Sequence, residues 1–177
     1  HHFGRIWKVQ HKQAKTLPAW KFDSKNAAGL VALLDHPNGW VRMTAHRLLS
    51  EQPADFSRAA LSQAVAAGKP SLTRMHAMWV LNNVGALDQK DLLLALNDAD
   101  PVLRKNALKV VAEASSGSRP SSGPVGPAVQ ASIRSTEPRV QINALLAMAS
   151  MEATPAIAAE IVALWPELKD KHLQSAA

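Results

Sequence analysis

The sequence predicts an all-α solenoid, a stack of about four to five helical hairpins behind a short non-repeat leader. The first observation is the stretch "LLDHPNGWVRMTAHRLL", Leu33 to Leu49. An apolar run stops at Asp35-His36-Pro37-Asn38-Gly39 and then resumes with Val41, Ala45, Leu48 and Leu49, the i, i+4, i+7, i+8 spacing of one helical face. Pro37 and Gly39 break the chain and Asn38 is a ready cap, so two helices fold back on each other. The second observation is recurrence. "WVRMTAHRLL", "LTRMHAMWVL", "VLRKNALKVV" and "RVQINALLAM" align Arg42, Arg74, Arg104 and Gln141, and three residues on they align Ala45, Ala77, Ala107 and Ala144. A two-helix unit recurring every 30 to 37 residues is the pattern of an α-solenoid. The third is composition: aromatics make up 5% of the chain and β-branched alternation is scarce, which removes strand-rich folds.

The elements follow in order. Residues 1–23 form the leader, in which "GRIWKV" alternates like a short strand and a basic connector runs to Pro18. The solenoid spans 24–177. Ser24 is placed to cap a first helix over 24–34, with its partner over 40–51. A second pair is expected over 54–67 and 71–84, with Ser71 as cap. A third covers 88–97 and 101–114, where Asp88 and Pro101 are favourable starting residues. "SSGSRPSSGPVGP", Ser115 to Pro127, reads as a flexible Ser/Gly/Pro-rich excursion without apolar anchors, and it lengthens the last repeat step. A fourth pair over 127–135 and 138–150 precedes a fifth first-type helix over 155–165, whose partner is expected to be truncated or missing.

Net charge narrows the partners. The chain carries +6, but residues 1–25 hold six basic side chains against Asp23 alone, while the remainder holds 14 basic and 13 acidic. A nucleic-acid groove needs its cations on the repeats themselves, one for each neutralised phosphate, so the near-neutral repeats argue against that partner. Cysteine is absent, which excludes thiol catalysis, Cys-ligated zinc and covalent c-type haem within this segment. No apolar run reaches the length of a membrane span. The abrupt start at "HHFGRIWKVQ" suggests a segment of a longer protein.

Three groups of residues are site candidates. Arg42, Arg74 and Arg104 form a ladder that is expected to be structural, bracing the inter-helix turns. Asp35 and Asp100, seven and four residues before their arginines, are placed to accept the guanidinium fork or to cap a helix start. His36, His46 and His76 invite a metal reading, yet they occupy different registers and lack a His-x-x-x-His or carboxylate grouping; His46 and His76 are expected between helices. Trp79 and Trp165 are expected in the core, whereas Trp7, Trp20 and Trp40 are the candidate interaction residues. No nucleophile–base pair, phosphate loop or paired carboxylate stands at a catalytic spacing, so no catalytic, metal or cofactor-binding residue is assigned.

The repeats resemble HEAT repeats, whose inter-helix stretch is Asp-Pro-x-Val-Arg followed by a small residue; Asp100 to Ala107 comes nearest to it, and Gln141 replaces the arginine of the fourth copy. A more specific resemblance covers most of the first 110 residues. "GRIWKV", "HPNGWVR" and "RMHAMWVL" are similar to stretches of a family of large bacterial membrane-bound dehydrogenases. That family joins a propeller like those of quinoprotein glucose/sorbosone dehydrogenases to a HEAT-like region and often to a c-type cytochrome module. The resemblance implies that "GRIWKV" is the last propeller strand and that the parent protein is periplasmic or exported. It places pyrroloquinoline quinone and haem in other modules and makes those modules, or another subunit, the partners of this segment. The expected function is a non-catalytic scaffold. Two rivals are a freestanding HEAT-like DNA-binding or base-excision protein, and an accessory of the bilin-lyase kind, which needs His or Asp side chains converging in a pocket.

Overall fold

The computed structural model describes residues 7, 9, 11–14, 21–66, 70–113, 124–151 and 154–177. Among these residues there are ten α-helices and no strand. The helices are α1 (Ala27–Leu33), α2 (Gly39–Ser50), α3 (Ala54–Ala66), α4 (Ser71–Asn83), α5 (Gln89–Leu96), α6 (Pro101–Glu113), α7 (Val125–Ser132), α8 (Pro138–Ser150), α9 (Pro155–Leu164) and α10 (Lys171–Ala176), with a 3₁₀ turn at Trp165–Glu167.

Helix starts follow capping chemistry, with two departures from expectation. Asn38 Oδ1 accepts from the Trp40 amide at 2.9 Å and Asp88 Oδ1 from Asp91 at 2.8 Å, each satisfying a donor that the first turn leaves open. The first cap is Asn26, whose Oδ1 accepts from Gly29 at 2.8 Å, and not Ser24. The reason is local: Asp23 Oδ1 takes the Lys25 amide at 3.0 Å, which folds Ser24 into a preceding turn. Ser71 is likewise the first helical residue of α4, after Pro70. At the far end of α4 the chain turns through Gly85, whose φ of +68° only glycine adopts without strain, while Ala86 and Leu87 donate back to the Leu81 carbonyl at 2.8 and 3.1 Å.

The hairpins stack in two layers. Helices α1, α3, α5 and α7 contact one another in sequence, and α2, α4, α6, α8 and α10 form the second row. Ala45, Ala77, Ala107 and Ala144 are each fully buried, which lets neighbouring helices approach closely. Behind them Leu49, Leu81, Val111 and Met148 fill the space between repeats, within a core that also takes in Leu30, Leu61, Leu103 and Leu145. Truncating one such leucine to alanine would cost about 2–5 kcal/mol.

Two boundaries differ from the sequence reading. Helix α7 begins at Val125, inside the expected excursion, because Val125 is an apolar anchor and is fully buried with Val129 and Ile133. Residues 115–123 of that excursion lie outside the described residues, as do Trp20 and most of the expected leader strand. A fifth partner is present as α10, six residues capped by Asp170 and packed on α8, with Leu173 buried. Trp165 is half exposed on the 3₁₀ turn rather than in the core, since Pro166 interrupts the helix there.

Candidate functional site

The arginine ladder is wired into the inter-helix turns. Arg42 Nη1 donates to the carbonyls of His36 and Pro37 at 2.7 and 2.9 Å, and Arg104 Nη1 to the Asp98 carbonyl at 3.0 Å. Gln141 Nε2 does the same for the Ile133 carbonyl at 2.8 Å, so glutamine keeps the role without the charge and with two N–H donors in place of five. Arg74 differs. It reaches forward into the next hairpin, where its two Nη atoms meet both oxygens of Asp98 at 2.5 and 2.7 Å in a largely buried fork.

The expected carboxylates take other partners. Asp35 accepts the Thr73 hydroxyl at 2.7 Å, because Thr73 on α4 faces the first turn while Arg42 is already committed to carbonyls. Asp100 caps α6 through the Val102 amide at 2.7 Å, and bonds from Ser71 and Val102 hold its carboxyl below the usual range. Asp98 is the fork acceptor that the sequence left unassigned. Its Oδ1 also takes the Asp100 amide at 2.8 Å, so one side chain closes the third turn and bolts it to the second hairpin.

His46 on α2 and His76 on α4 come together across the first junction, with Nδ1 atoms 3.2 Å apart and rings edge to face. One Nδ1 must carry a proton and the other must not. Asn83 Nδ2 donates to His46 Nε2 at 3.3 Å, so His46 is protonated at Nδ1 and donates to His76. Burial lowers both pKa values, His76 to about 4, with the His46 ring and the Arg42 charge adding to the effect. His36 stands apart in its own turn, where its Nδ1 accepts from the Asn38 amide at 3.0 Å. Among the described residues no three His, Cys, Asp or Glu side chains group as metal ligands.

The exposed face of the second layer is built by register. Two residues before each ladder position stand Trp40, Leu72, Val102 and Arg139; one after it, Met43, Met75, Lys105 and Ile142; five after it, Arg47, Trp79, Lys109 and Leu146. Trp40 is 62% exposed and Met43 57%, and Leu72, Val102 and Leu146 are also exposed. Trp40 meets Phe22 edge-on at 5.6 Å between ring centroids. Trp79 is half-buried and pinned by its Nε1–H to Asn106 Oδ1 at 3.1 Å. Trp7, the other described interaction candidate, is exposed in the leader.

Charge is segregated between the layers, which a repeat-wide sum conceals. Helices α2, α4, α6 and α8 carry seven basic residues and one acid, Glu113; among the described residues the other acids sit ahead of α1, in turns, in the first layer and in the tail. Three of the seven are the ladder arginines, and Arg47 pairs with Glu51 at 2.5 Å. Lys105, Lys109 and Arg139 remain on the face with no salt bridge among the described residues. The first layer instead offers open hollows, of about 620 Å³ beside α5 around Leu93 and Asn97 and about 520 Å³ between α1 and α3. Neither is lined by histidine.

No family model matches the chain, and no curated protein is significantly similar to it. Among solved structures it is similar to the crystal structure of an engineered protein, a structural genomics target, at 19% identity and a TM-score of 0.54, over 85% of this chain and 75% of that one. At that identity the likeness bears on the fold alone, and the fold is an all-α stack of helical hairpins in two layers.

Proposed function

We propose that this chain is a non-catalytic docking scaffold, a HEAT-like segment of a larger exported quinoprotein-like dehydrogenase, which spaces a propeller from an electron-accepting module or seats a partner protein. The observation that carries the docking reading is the second-layer face, where Trp40, Leu72 and Val102 stand exposed in one repeat register and Met43 in another. Large apolar side chains gathered on one face, rather than scattered singly, mark interaction surfaces. The placement in a dehydrogenase rests on the sequence resemblance alone. Reading the gene on either side for a propeller and a Cys-x-x-Cys-His module tests it.

A photo-crosslinking amino acid placed at Met43 in the second layer, or at Leu94 in the first, tests the docking face in the native host. The reading requires one defined protein adduct from position 43 and none from position 94. A folded variant that forms no adduct at 43 overturns it. The purified chain is also expected to be colourless and to show no sugar or alcohol oxidation when supplied with pyrroloquinoline quinone and calcium. A chromophore that copurifies stoichiometrically would reverse the non-catalytic assignment.

Nucleic acid is the second reading, favoured by Lys105, Lys109 and Arg139 on α6 and α8, in a layer that also carries Trp40 and Trp79. Three cations without a salt bridge among the described residues fall short of the roughly 6–10 phosphate contacts that strongly salt-dependent binding involves. The bilin-lyase alternative finds less support, because His46 and His76 face each other between helices rather than a hollow.

A further inference from the structure

We propose that the second-layer face receives an acidic amphipathic helix of a partner protein, with its apolar anchors over α2 and α4 and its carboxylates over α6 and α8. This rests on the docking reading above and adds the chemistry and polarity of the occupant. The face is graded along the stack. At the α2 and α4 end the register positions are Trp40, Met43, Leu72, Met75 and Trp79, and the charge of Arg47 is answered by Glu51. At the α6 and α8 end the same positions introduce Lys105, Lys109 and Arg139, none of which forms a salt bridge among the described residues.

The apolar end is partly organised in advance. Trp79 is held by Asn106, and the Asn106 amide in turn donates to the Val102 carbonyl at 2.8 Å, so the indole loses little freedom when covered. Met75, four residues before it on α4, and Met43 on α2 add adaptable apolar surface. A fixed aromatic beside flexible methionines suits the apolar stripe of a helix laid in a groove. The unanswered cations call for carboxylates at the other end and repel a basic segment.

Geometry sets the spacing. Packed helices lie about 8–10 Å apart, so the two ends of the face are separated by roughly 18 Å. At 1.5 Å rise per residue, that corresponds to about 12 residues of partner helix between anchors and acids. A polyanion such as DNA would engage the cations and leave the Trp40–Met43–Leu72 end uncovered.

The test uses fluorescein-labelled helical 20-mers read by anisotropy at physiological salt against the whole chain. One peptide carries Leu and Phe anchors at one end and Glu at the other; a second has Lys in place of Glu; unlabelled duplex DNA is the competitor. The Glu peptide should bind at least tenfold more tightly than the Lys peptide. The triple charge reversal K105E/K109E/R139E should invert that preference with unchanged melting, since these side chains form no salt bridge among the described residues. Met43→Ala should weaken both peptides together. Equal binding of the two peptides, or a triple variant that still prefers the Glu peptide, overturns the acidic occupant. So does DNA that displaces the Glu peptide while binding more tightly than it. Adducts from position 43 to a segment without acids would sink this inference and leave the docking reading standing, whereas a folded variant with no adduct sinks the docking reading itself.

Discussion

The first and second junctions of the stack share one apolar design and differ in their polar cross-link. Between the first two hairpins, one neutral imidazole donates to the other, and Thr73 donates to Asp35. Between the second and third, Arg74 forks onto Asp98, Ser62 donates to Asp91 at 2.5 Å, and Trp79 reaches Asn106. The buried alanines and leucines set how hairpins stack at both places. Register is therefore the work of the repeated core, while the polar links are particular to each junction. That difference makes the junctions respond unlike each other to truncation and to acid.

Arg74→Ala should be the most damaging of these polar changes, because it strands a largely buried carboxylate at the second junction. Removing one partner of such a pair costs about 3–5 kcal/mol, which urea unfolding would read. The double change R74M/D98L should recover much of the loss, since it removes both charges. If Arg74→Ala proved neutral, the ion pair would not be what distinguishes this junction.

Acid should act next, on the first junction. His76 is held neutral in the folded chain, to about 4 against 6.5, so the unfolded chain binds protons more readily between those values. Stability is full above about pH 6.5 and falls as pH drops toward 4, by at most about 3 kcal/mol at 1.36 kcal/mol per unit. Below its ordinary value Asp100 works in the same direction, since its lowered carboxyl favours the folded state only while ionised. Unfolding curves at pH 7 and pH 5 separate the two, and His76→Asn should flatten the upper part of the profile. A wild-type curve without slope between pH 6.5 and 4.5 would mean that the imidazoles are not buried neutral.

The fold was legible in the sequence because stacking leaves a periodic mark: the aligned alanines are the buried ones, and at three of the four ladder positions, Arg42, Arg104 and Gln141, the side chain reaches a turn carbonyl. The cross-links were not legible. Asp98 stands six residues before Arg104 and 24 after Arg74, a pairing that exists only once hairpins stack. His46 and His76 sit at different offsets from their arginines, four and two residues, and meet because α2 and α4 lie side by side with a rotation that spacing does not reveal. The basic face was hidden by summation. Acids in the turns cancel the second-layer cations in a count, although the two sets occupy different surfaces. Sorting charges by helix type within the repeat, rather than over the whole region, would have shown it.

Arg104→Ala extends the comparison within one turn. Arg74 and Arg104 converge on Asp98, one on its carboxylate and the other on its carbonyl. A carbonyl that loses one charged donor leaves no buried ion behind, so the cost should be about 1–2 kcal/mol, below that of Arg74→Ala. Melting of the two variants side by side checks the order, and the reverse order would place the main bond of this turn in the wrong residue.

The smallest effect is expected at the third junction, where α6 packs on α8. Its side-chain hydrogen bond is Ser150 Oγ to the Val111 carbonyl at 3.3 Å, and the same hydroxyl already donates to Ala147 at 2.7 Å within its own helix. One hydroxyl proton serves two acceptors, so the longer bond adds little. Around it Val110, Val111, Leu145 and Met148 are buried, and the contact is carried by apolar area. Ser150→Ala should shift stability by about 0.5 kcal/mol or less, within the range of ordinary substitutions. Leu145→Ala at the same contact should cost several-fold more, about 2–5 kcal/mol, because it opens a cavity in a fully buried layer. Neither variant should alter the slope of stability between pH 6.5 and 4.5, since neither residue titrates. If Ser150→Ala matched Arg74→Ala in cost, all three junctions would depend on polar links alike, and the contrast drawn between them would fail.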